Sequence, residues 1–207
     1  MAADHQETEA KFLVLRLDEL PGRIEARGGR LLTARTHETN LRFDTPDGAL
    51  LRARRVLRLR RDAAVHLTFK GPGEFMGGVR TRTELDMLVG DFEQARQFLQ
   101  ALGYATVFEY EKYRTTYALG EVQVMLDELP FGSFVEVEGK LEGLRPAAEQ
   151  LGLDWNTAIA ESYHALFERL QQVAHLPFRD LTFGNFGGRT ERVINLGVQP
   201  ADRPASR

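Results

Sequence analysis

Glu7, Glu9 and Lys11 stand at alternate positions in the stretch Glu7-Thr8-Glu9-Ala10-Lys11, and the apolar run Phe12-Leu13-Val14-Leu15 follows at once. In a strand, successive side chains point to opposite faces, so the three charged groups share one face. On a helix the same spacing splays them around the cylinder, because i and i+2 do not meet there. Two carboxylates about 6.5 Å apart repel by roughly 2–3 kcal/mol at an effective dielectric near 20. Open water bears that cost, and so does a cation held between them. A solvated strand face is the plainer reading of this stretch alone, and half of a cation site is the sharper one.

The same alternation recurs along the chain. Arg58 and Arg60 share a face, as do Lys112 and Arg114, Glu136 and Glu138, and the set Arg82, Glu84 and Asp86; Lys70 and Asp127 fall on the polar faces of their own stretches. An antiparallel sheet with one wet face also alternates, but such faces are of varied composition. Here they are concentrated in groups that bind phosphate or metal. Guanidinium forks and ammonium groups suit phosphate oxygens. Clustered carboxylates suit hard cations such as Mg²⁺ or Mn²⁺. A closed antiparallel barrel of about eight strands turns such faces inward and lines a lumen, with helices over its apolar outside. A lumen of mixed sign is satisfied by ion pairs when empty, and by a polyanion with divalent cations when full.

The elements that must hold these groups follow from local signals. A strand is expected over residues 7–15, then a helix opening at Asp18 with Pro21 in its first turn and stopped by Gly28-Gly29. A strand is expected over 31–43, then a turn at Asp44-Thr45-Pro46-Asp47-Gly48. Residues 56–61 and 65–70 read as a hairpin, Gly71-Pro72-Gly73 as its end, and 74–78 as a flexible loop. A strand over 79–88 precedes a helix capped by Asp91 and stopped by Gly103. Residues 107–119 and 122–126 form a second hairpin, and 134–138 a last strand. Residues 146–152 read as a short helix, and Asp154 as the cap of a longer one carrying Ile159, Tyr163, Leu166, Phe167 and Leu170. Domain organisation reads as one folded unit over 1–175 and a tail over 176–207, mobile or laid as an arm on the surface.

Composition bounds the rest. At 207 residues and 43% hydrophobic, the chain can bury one sizeable core. Basic and acidic groups number 27 and 30, for a net charge of −3, which argues against a non-specific nucleic-acid binder. There is no cysteine, hence no disulfide, thiolate metal site or cysteine nucleophile. No apolar run approaches membrane-spanning length and no signal-peptide pattern opens the chain, so the expectation is a cytoplasmic protein without a membrane partner, monomeric or homodimeric.

Taken together, these residues resemble the CYTH domain, the triphosphate tunnel metalloenzymes, over roughly residues 7–170. The family's E-x-E-x-K is Glu7-Thr8-Glu9-Ala10-Lys11, and its aromatic-D-T turn is Phe43-Asp44-Thr45. Its L-R-x-R is Leu57-Arg58-Leu59-Arg60, and its T-x-K-G-P is Thr68-Phe69-Lys70-Gly71-Pro72. R-x-E-x-E appears as Arg82-Thr83-Glu84-Leu85-Asp86, with Asp in the last place, and K-x-R as Lys112-Tyr113-Arg114. Leu126-Asp127, the run from Gly132 to Gly139, and Ser162-Tyr163 complete the ordered set. The resemblance implies an α+β fold: an eight-stranded antiparallel tunnel with helices packed outside. It also implies a triphosphate-containing small molecule held by Lys11, Arg58, Arg60, Lys70, Arg82, Lys112 and Arg114. Mg²⁺ or Mn²⁺ would sit on Glu7, Glu9, Asp127, Glu136 and Glu138. Glu9, Lys70 and Arg60 are the expected catalytic residues.

Other groups are set aside. His66 shares a face with Lys70, but a lone His is more often structural. His5, His37, His164 and His175 lack zinc-site spacing. The glycines near 71–78 lack the helix and Lys-Ser/Thr of a P-loop, and Trp155 and Tyr163 read as helix packing. Triphosphate chemistry needs charge neutralisation and in-line positioning. Attack by water on the terminal phosphorus makes a triphosphatase. Attack by a ribose hydroxyl on the α-phosphorus makes a class IV adenylyl cyclase. The triphosphatase is preferred because it needs no nucleoside pocket; a non-catalytic polyphosphate binder is the alternative of another class.

Overall fold

The structure is a computed structural model and describes residues 5–202. Residues 1–4, expected as a loose terminus, and the last five of the tail lie outside the described residues.

Period-two alternation builds eight strands: β1 (Gln6–Val14), β2 (Arg30–Asp44), β3 (Val56–Arg61), β4 (Val65–Met76), β5 (Val79–Leu88), β6 (Ala105–Leu119), β7 (Val122–Leu129) and β8 (Gly132–Gly139). They close into an antiparallel barrel in the order β1-β5-β4-β3-β2-β6-β7-β8. Closure puts one face of every strand in the lumen and leaves the other to be covered. Five helices accompany them: α1 (Leu20–Glu25), α2 (Ala49–Arg52), α3 (Phe92–Ala101), α4 (Leu141–Gln150) and α5 (Tyr163–Ala174). No helix among the described residues is long and apolar enough to cross a membrane.

The apolar outer faces are covered in two places, and a third apolar cluster fills one end. Phe12 and Val14 of β1, Val124 and Leu126 of β7, and Val135 and Val137 of β8 pack with Ile24 of α1 and Leu144 and Ala148 of α4. Leu41, Phe43 and Leu59 of β2 and β3 pack with Leu99 of α3. At one end of the barrel, Phe108 of β6 and Phe134 of β8, on the lumen side of their strands, pack together with Phe131 and with Leu166, Phe167 and Leu170 of α5. Full burial of each such side chain stabilises by about 1.5–3 kcal/mol.

Three local expectations are corrected, and the turn expected at 44–48 is found. The stretch 74–78 is not a loop: β4 runs to Met76 across a bulge between Lys70 and Gly73, and only Gly77 and Gly78 turn. Pro72 sits in that bulge, where its missing N–H costs no ladder bond. α4 starts at Leu141 rather than near Pro146, because fully buried Leu144 anchors its first turn. Asp154 caps only a single 3₁₀ turn, through Asn156 N–H, and α5 is capped separately by Ser162 Oγ, which accepts from Ala165 N–H at 3.2 Å. The turn at Asp44 leads into α2, whose N–H groups on Leu50 and Leu51 donate to the Asp44 carboxylate at 2.8 and 2.9 Å.

From Leu176 to Asp202 the chain lies against the barrel. Leu181 N–H donates to Glu109 O at 2.9 Å and Glu111 N–H to Leu181 O at 3.0 Å; Val193 N–H donates to Phe131 O and Ala201 N–H to Leu13 O. Leu176, Leu181, Phe186 and Val193, all beyond the boundary expected near residue 175, are buried in the same apolar cluster as α5.

Candidate active site

Inside the barrel lies a cavity of about 390 Å³. Seven of the eight strands contribute through their inward parity, Arg42 coming from β2. β1 supplies Glu7, Glu9 and Lys11; β3 supplies Arg58 and Arg60; β4 supplies Lys70; β5 supplies Arg82, Glu84 and Asp86; β6 supplies Lys112 and Arg114; β8 supplies Glu136 and Glu138. Register explains the assembly. Glu9 stands opposite Glu138 and Lys11 opposite Glu136 on β8, while Glu7 stands opposite Arg82 on β5. Asp127, expected in the same lining, is the exception: it is fully buried behind it.

The lining is knit by ion pairs. Lys70 Nζ lies 2.7 Å from Glu7 and 2.8 Å from Glu84, and Arg82 Nε lies 2.6 Å from Glu7. Lys11 Nζ lies 3.2 Å from Glu136. Arg114 forks onto Asp127 through Nε and Nη2, both at 2.6 Å, and Nη2 also meets Glu136. Lys112 Nζ donates to Asp127 Oδ2 at 2.9 Å. Arg60 Nε lies 3.1 Å from Asp62. A lumen so paired is neutral within itself, which is what lets so many charges leave water without solvent or a ligand to satisfy them.

Two carboxylates show opposite surroundings. Burial opposes ionisation of Glu136, but Lys11, Arg114 and Lys112 outweigh it and hold its pKa well below the ordinary value. Glu138 is pushed up to about 7, first by burial and then by the charges of Glu7 and Glu9, with Lys70 opposing. The wall around Glu7, Glu9 and Glu138 is therefore short of positive charge.

That shortage is what a divalent cation relieves. The donors are carboxylate oxygens, the set preferred by Mg²⁺ and Mn²⁺. Among the described residues no three such side chains converge on one point; Glu7 and Glu9 turn toward Lys70 and Arg82 instead. The donor chemistry of Glu7, Glu9 and Glu138 fits, with those ion pairs exchanged on loading. Asp127 fits poorly: its oxygens accept from Lys112, Arg114 and the Tyr163 hydroxyl at once. Asp86 is likewise committed, to Thr68 Oγ1 at 2.6 Å and His66 Nδ1 at 2.7 Å.

Several residues in the lining or buried behind it were not singled out from the sequence. Tyr163, expected as helix packing, points its hydroxyl at Asp127, and Lys11 Nζ sits 4.3 Å from the centre of its ring. Glu38, on β2, lies among Lys112, Arg114 and Arg60. Burial opposes its charge, but these cations hold its pKa at about 2. Asn40 is fully buried, with neither amide atom hydrogen-bonded. Arg42, Tyr110 and His164 line the cavity near α5. The signal was present on β2: Glu38, Asn40 and Arg42 alternate against Leu41 and Phe43.

Comparison with known proteins agrees with this architecture. The chain resembles the structure of a candidate adenylate cyclase from Vibrio parahaemolyticus at 22% identity, covering 78% of this chain and 97% of that one, with a TM-score of 0.71. A protein from Pyrococcus horikoshii OT3 matches at 24% identity over 79% and 99% of the two chains, TM-score 0.64. A candidate adenylyl cyclase from Hippeastrum, described as having a dominant triphosphatase activity, matches at 18% identity over 79% and 95%, TM-score 0.60. At these identities the likeness shows the shared fold. No curated protein matches the chain. The CYTH domain matches residues 5–162, more than half of the sequence and every strand of the barrel, and the chain belongs to the CYTH family.

Proposed function

We propose that this protein is a divalent-metal-dependent hydrolase of triphosphate substrates, inorganic or organic, bound in the barrel lumen. The observation that carries this reading is the lumen itself: Lys11, Arg58, Arg60, Lys70, Arg82, Lys112 and Arg114 interleaved with glutamates around one cavity of about 390 Å³. Basic groups at successive heights suit successive oxygens of an extended polyanion. Family membership and the triphosphatase activity ascribed to the Hippeastrum relative support the same chemistry.

Hydrolysis here is a matter of positioning and charge. Lys70 and Arg82, now paired with Glu7, would transfer their hydrogen bonds to phosphate oxygens when substrate enters. The released Glu7 and Glu9, with Glu138 and Glu136, would hold Mg²⁺ or Mn²⁺, which supplies charge neutralisation and a polarised water. Arg60 presents a fork that fixes phosphoryl orientation. Asp127 acts as a positioning residue, holding Lys112 and Arg114 in place. Walls that exclude bulk water strengthen each of these contacts.

A second reading is a class IV adenylyl cyclase, favoured by the names of the Vibrio and Hippeastrum relatives. One panel separates the two. Tripolyphosphate, thiamine triphosphate and ATP are incubated with Mg²⁺ or Mn²⁺, and phosphate, pyrophosphate and cyclic AMP are resolved. Phosphate release that stops in excess chelator supports the hydrolase. Cyclic AMP with pyrophosphate supports the cyclase. Neither product from any substrate would overturn both.

A further inference from the structure

Asp86 stands where the family's R-x-E-x-E pattern carries its second glutamate. Its two oxygens are spent along the barrel wall. Oδ1 accepts from Thr68 Oγ1 at 2.6 Å, and Oδ2 lies 2.7 Å from His66 Nδ1. Burial opposes its ionisation, but the hydrogen bonds from Thr68 and His66 outweigh it and hold its pKa below the ordinary carboxylate value. A glutamate at 86 would carry its carboxylate one methylene farther from the strand.

Thr68 carries the row on to a lumen arginine. Register sets Arg58 of β3 opposite Thr68 of β4, and Thr68 opposite Asp86 of β5. Arg58 Nη2 donates to Thr68 Oγ1 at 3.3 Å. Thr68 is fully buried, so its hydroxyl must be satisfied inside the wall. An arginine only donates, an ionised carboxylate only accepts, and a hydroxyl does both. The direction of each bond is therefore forced: Arg58 to Thr68, and Thr68 to Asp86. His66 donates to Asp86 from the far side, so its proton sits on Nδ1.

Arg58 needs such support. Arg42, a like charge, stands opposite it on β2 and works against its placement. Its Nε is buried without a hydrogen bond, so the hold comes through the other nitrogens of the fork. On the β6 side the guanidinium is hydrogen-bonded to Tyr110. Thr68 is the second point. Two points fix the plane of a fork where one leaves it free to turn.

We propose that His66 and Asp86 are positioning residues: through Thr68 they hold the Arg58 guanidinium at the angle in which it meets a phosphoryl oxygen of the substrate. The proposal rests on the triphosphate reading of the lumen and deepens it, because Asp86 then supports a phosphate-binding residue and holds neither metal nor substrate. Hydrogen bonds in a chain polarise one another, so the imidazole at one end tightens the guanidinium bond at the other. Loosening the fork without removing its charge costs orientation more than attraction. The loss therefore falls on kcat and spares KM.

The test is a double-mutant cycle on tripolyphosphate turnover with Mg²⁺ present. His66→Leu and Asp86→Asn are each expected to lower kcat about tenfold and to leave KM within about twofold. His66→Asn, whose amide N–H takes the place of the Nδ1 proton, should keep kcat within about twofold of wild type. In an Arg58→Lys background, which has already lost the fork, His66→Leu and Asp86→Asn should lower kcat no further. Thr68→Val, which keeps the buried shape, stands in for Asp86→Asn where that variant fails to fold. Wild-type kcat in both single variants overturns the proposal. So does an equal fall in the Arg58→Lys background, which is what a merely structural role would give. If wild type hydrolyses no triphosphate, or Arg58→Lys turns over too slowly to measure, the same cycle is read in calorimetric Kd values for a methylene-bridged, hydrolysis-resistant analogue of tripolyphosphate. A loss of affinity in His66→Leu that vanishes beside Arg58→Lys keeps the support role, and wild type without turnover then overturns the hydrolase alone. Equal losses in both backgrounds, or none, overturn the support role. No analogue binding at all overturns both.

Discussion

The hydroxyl of Tyr163 donates to Asp127 Oδ2 at 2.9 Å, so the first residue of α5 is tied to a carboxylate at the centre of the barrel wall. Asp127 in turn orients Lys112 and Arg114. Tyr163→Phe keeps the ring under Lys11 and removes only this bond. Hydrogen bonds to charged groups contribute about 1.5–3 kcal/mol, so the variant should lose that much in denaturant unfolding. An unchanged midpoint would show that the bond adds nothing to stability.

The glutamate wall makes a prediction about metal. If Glu9 helps hold a divalent cation with Glu7, Glu136 and Glu138, Glu9→Gln should abolish turnover while the far-ultraviolet circular dichroism stays native. The neutral amide keeps the shape and loses the charge. Full activity of wild type in excess chelator would show that no metal is needed.

How much of this was legible in the sequence depends on the kind of order involved. Period-two alternation is local, so Glu7-x-Glu9-x-Lys11, Arg58-x-Arg60 and Lys112-x-Arg114 declared shared faces without any knowledge of the partner strand. Strand β2 was read as a strand, yet its polar positions carry Thr, His and Asn among the charges, and Glu38, Asn40 and Arg42 did not stand out. Tyr163 falls on the apolar stripe of α5, and helical periodicity has no way to report where a phenol hydroxyl points. Asp154 and Ser162 are equally good N-caps; only packing of Ile159 beneath the barrel decides that the long helix starts at the second. The segment after Leu176 has apolar residues without period, because barrel contacts, not local repetition, fix their place.

Arg60 should act through geometry. Its guanidinium lies within ion-pair distance of Asp62, at 3.1 Å, and of Glu38, at 3.8 Å, while its buried Nε makes no hydrogen bond. Arg60→Lys keeps the charge and loses the fork. Misplacement by about 1 Å can cost on the order of a hundredfold in rate, so kcat should fall by roughly ten- to a hundredfold. Wild-type kcat and KM in Arg60→Lys would limit Arg60 to long-range attraction.

Ligand should stabilise the barrel by filling a charged lumen. Binding to the native state alone adds about 2.7 kcal/mol at a hundred times Kd. Tripolyphosphate is expected to raise the melting temperature clearly, and orthophosphate at equal ionic strength to leave it unchanged. Equal shifts with the two anions would point to a surface effect of charge alone.

The last prediction concerns His164, which packs at a tilt against Phe108 and lies 3.7 Å from Glu168. Burial, and then the charge of Arg42, lower its pKa from 6.5 to about 4. The unfolded chain therefore binds a proton at higher pH than the folded one. Stability is fully present above pH 6.5 and is lost as pH falls toward 4. A shift of that size amounts to about 3 kcal/mol across the window. His164→Gln removes the titrating group, so its stability should fall less than that of wild type between pH 6.5 and 4, by about the same 3 kcal/mol. Urea midpoints at half-unit steps of pH measure the difference. Parallel curves for the two proteins would mean that His164 titrates alike in the folded and unfolded chains.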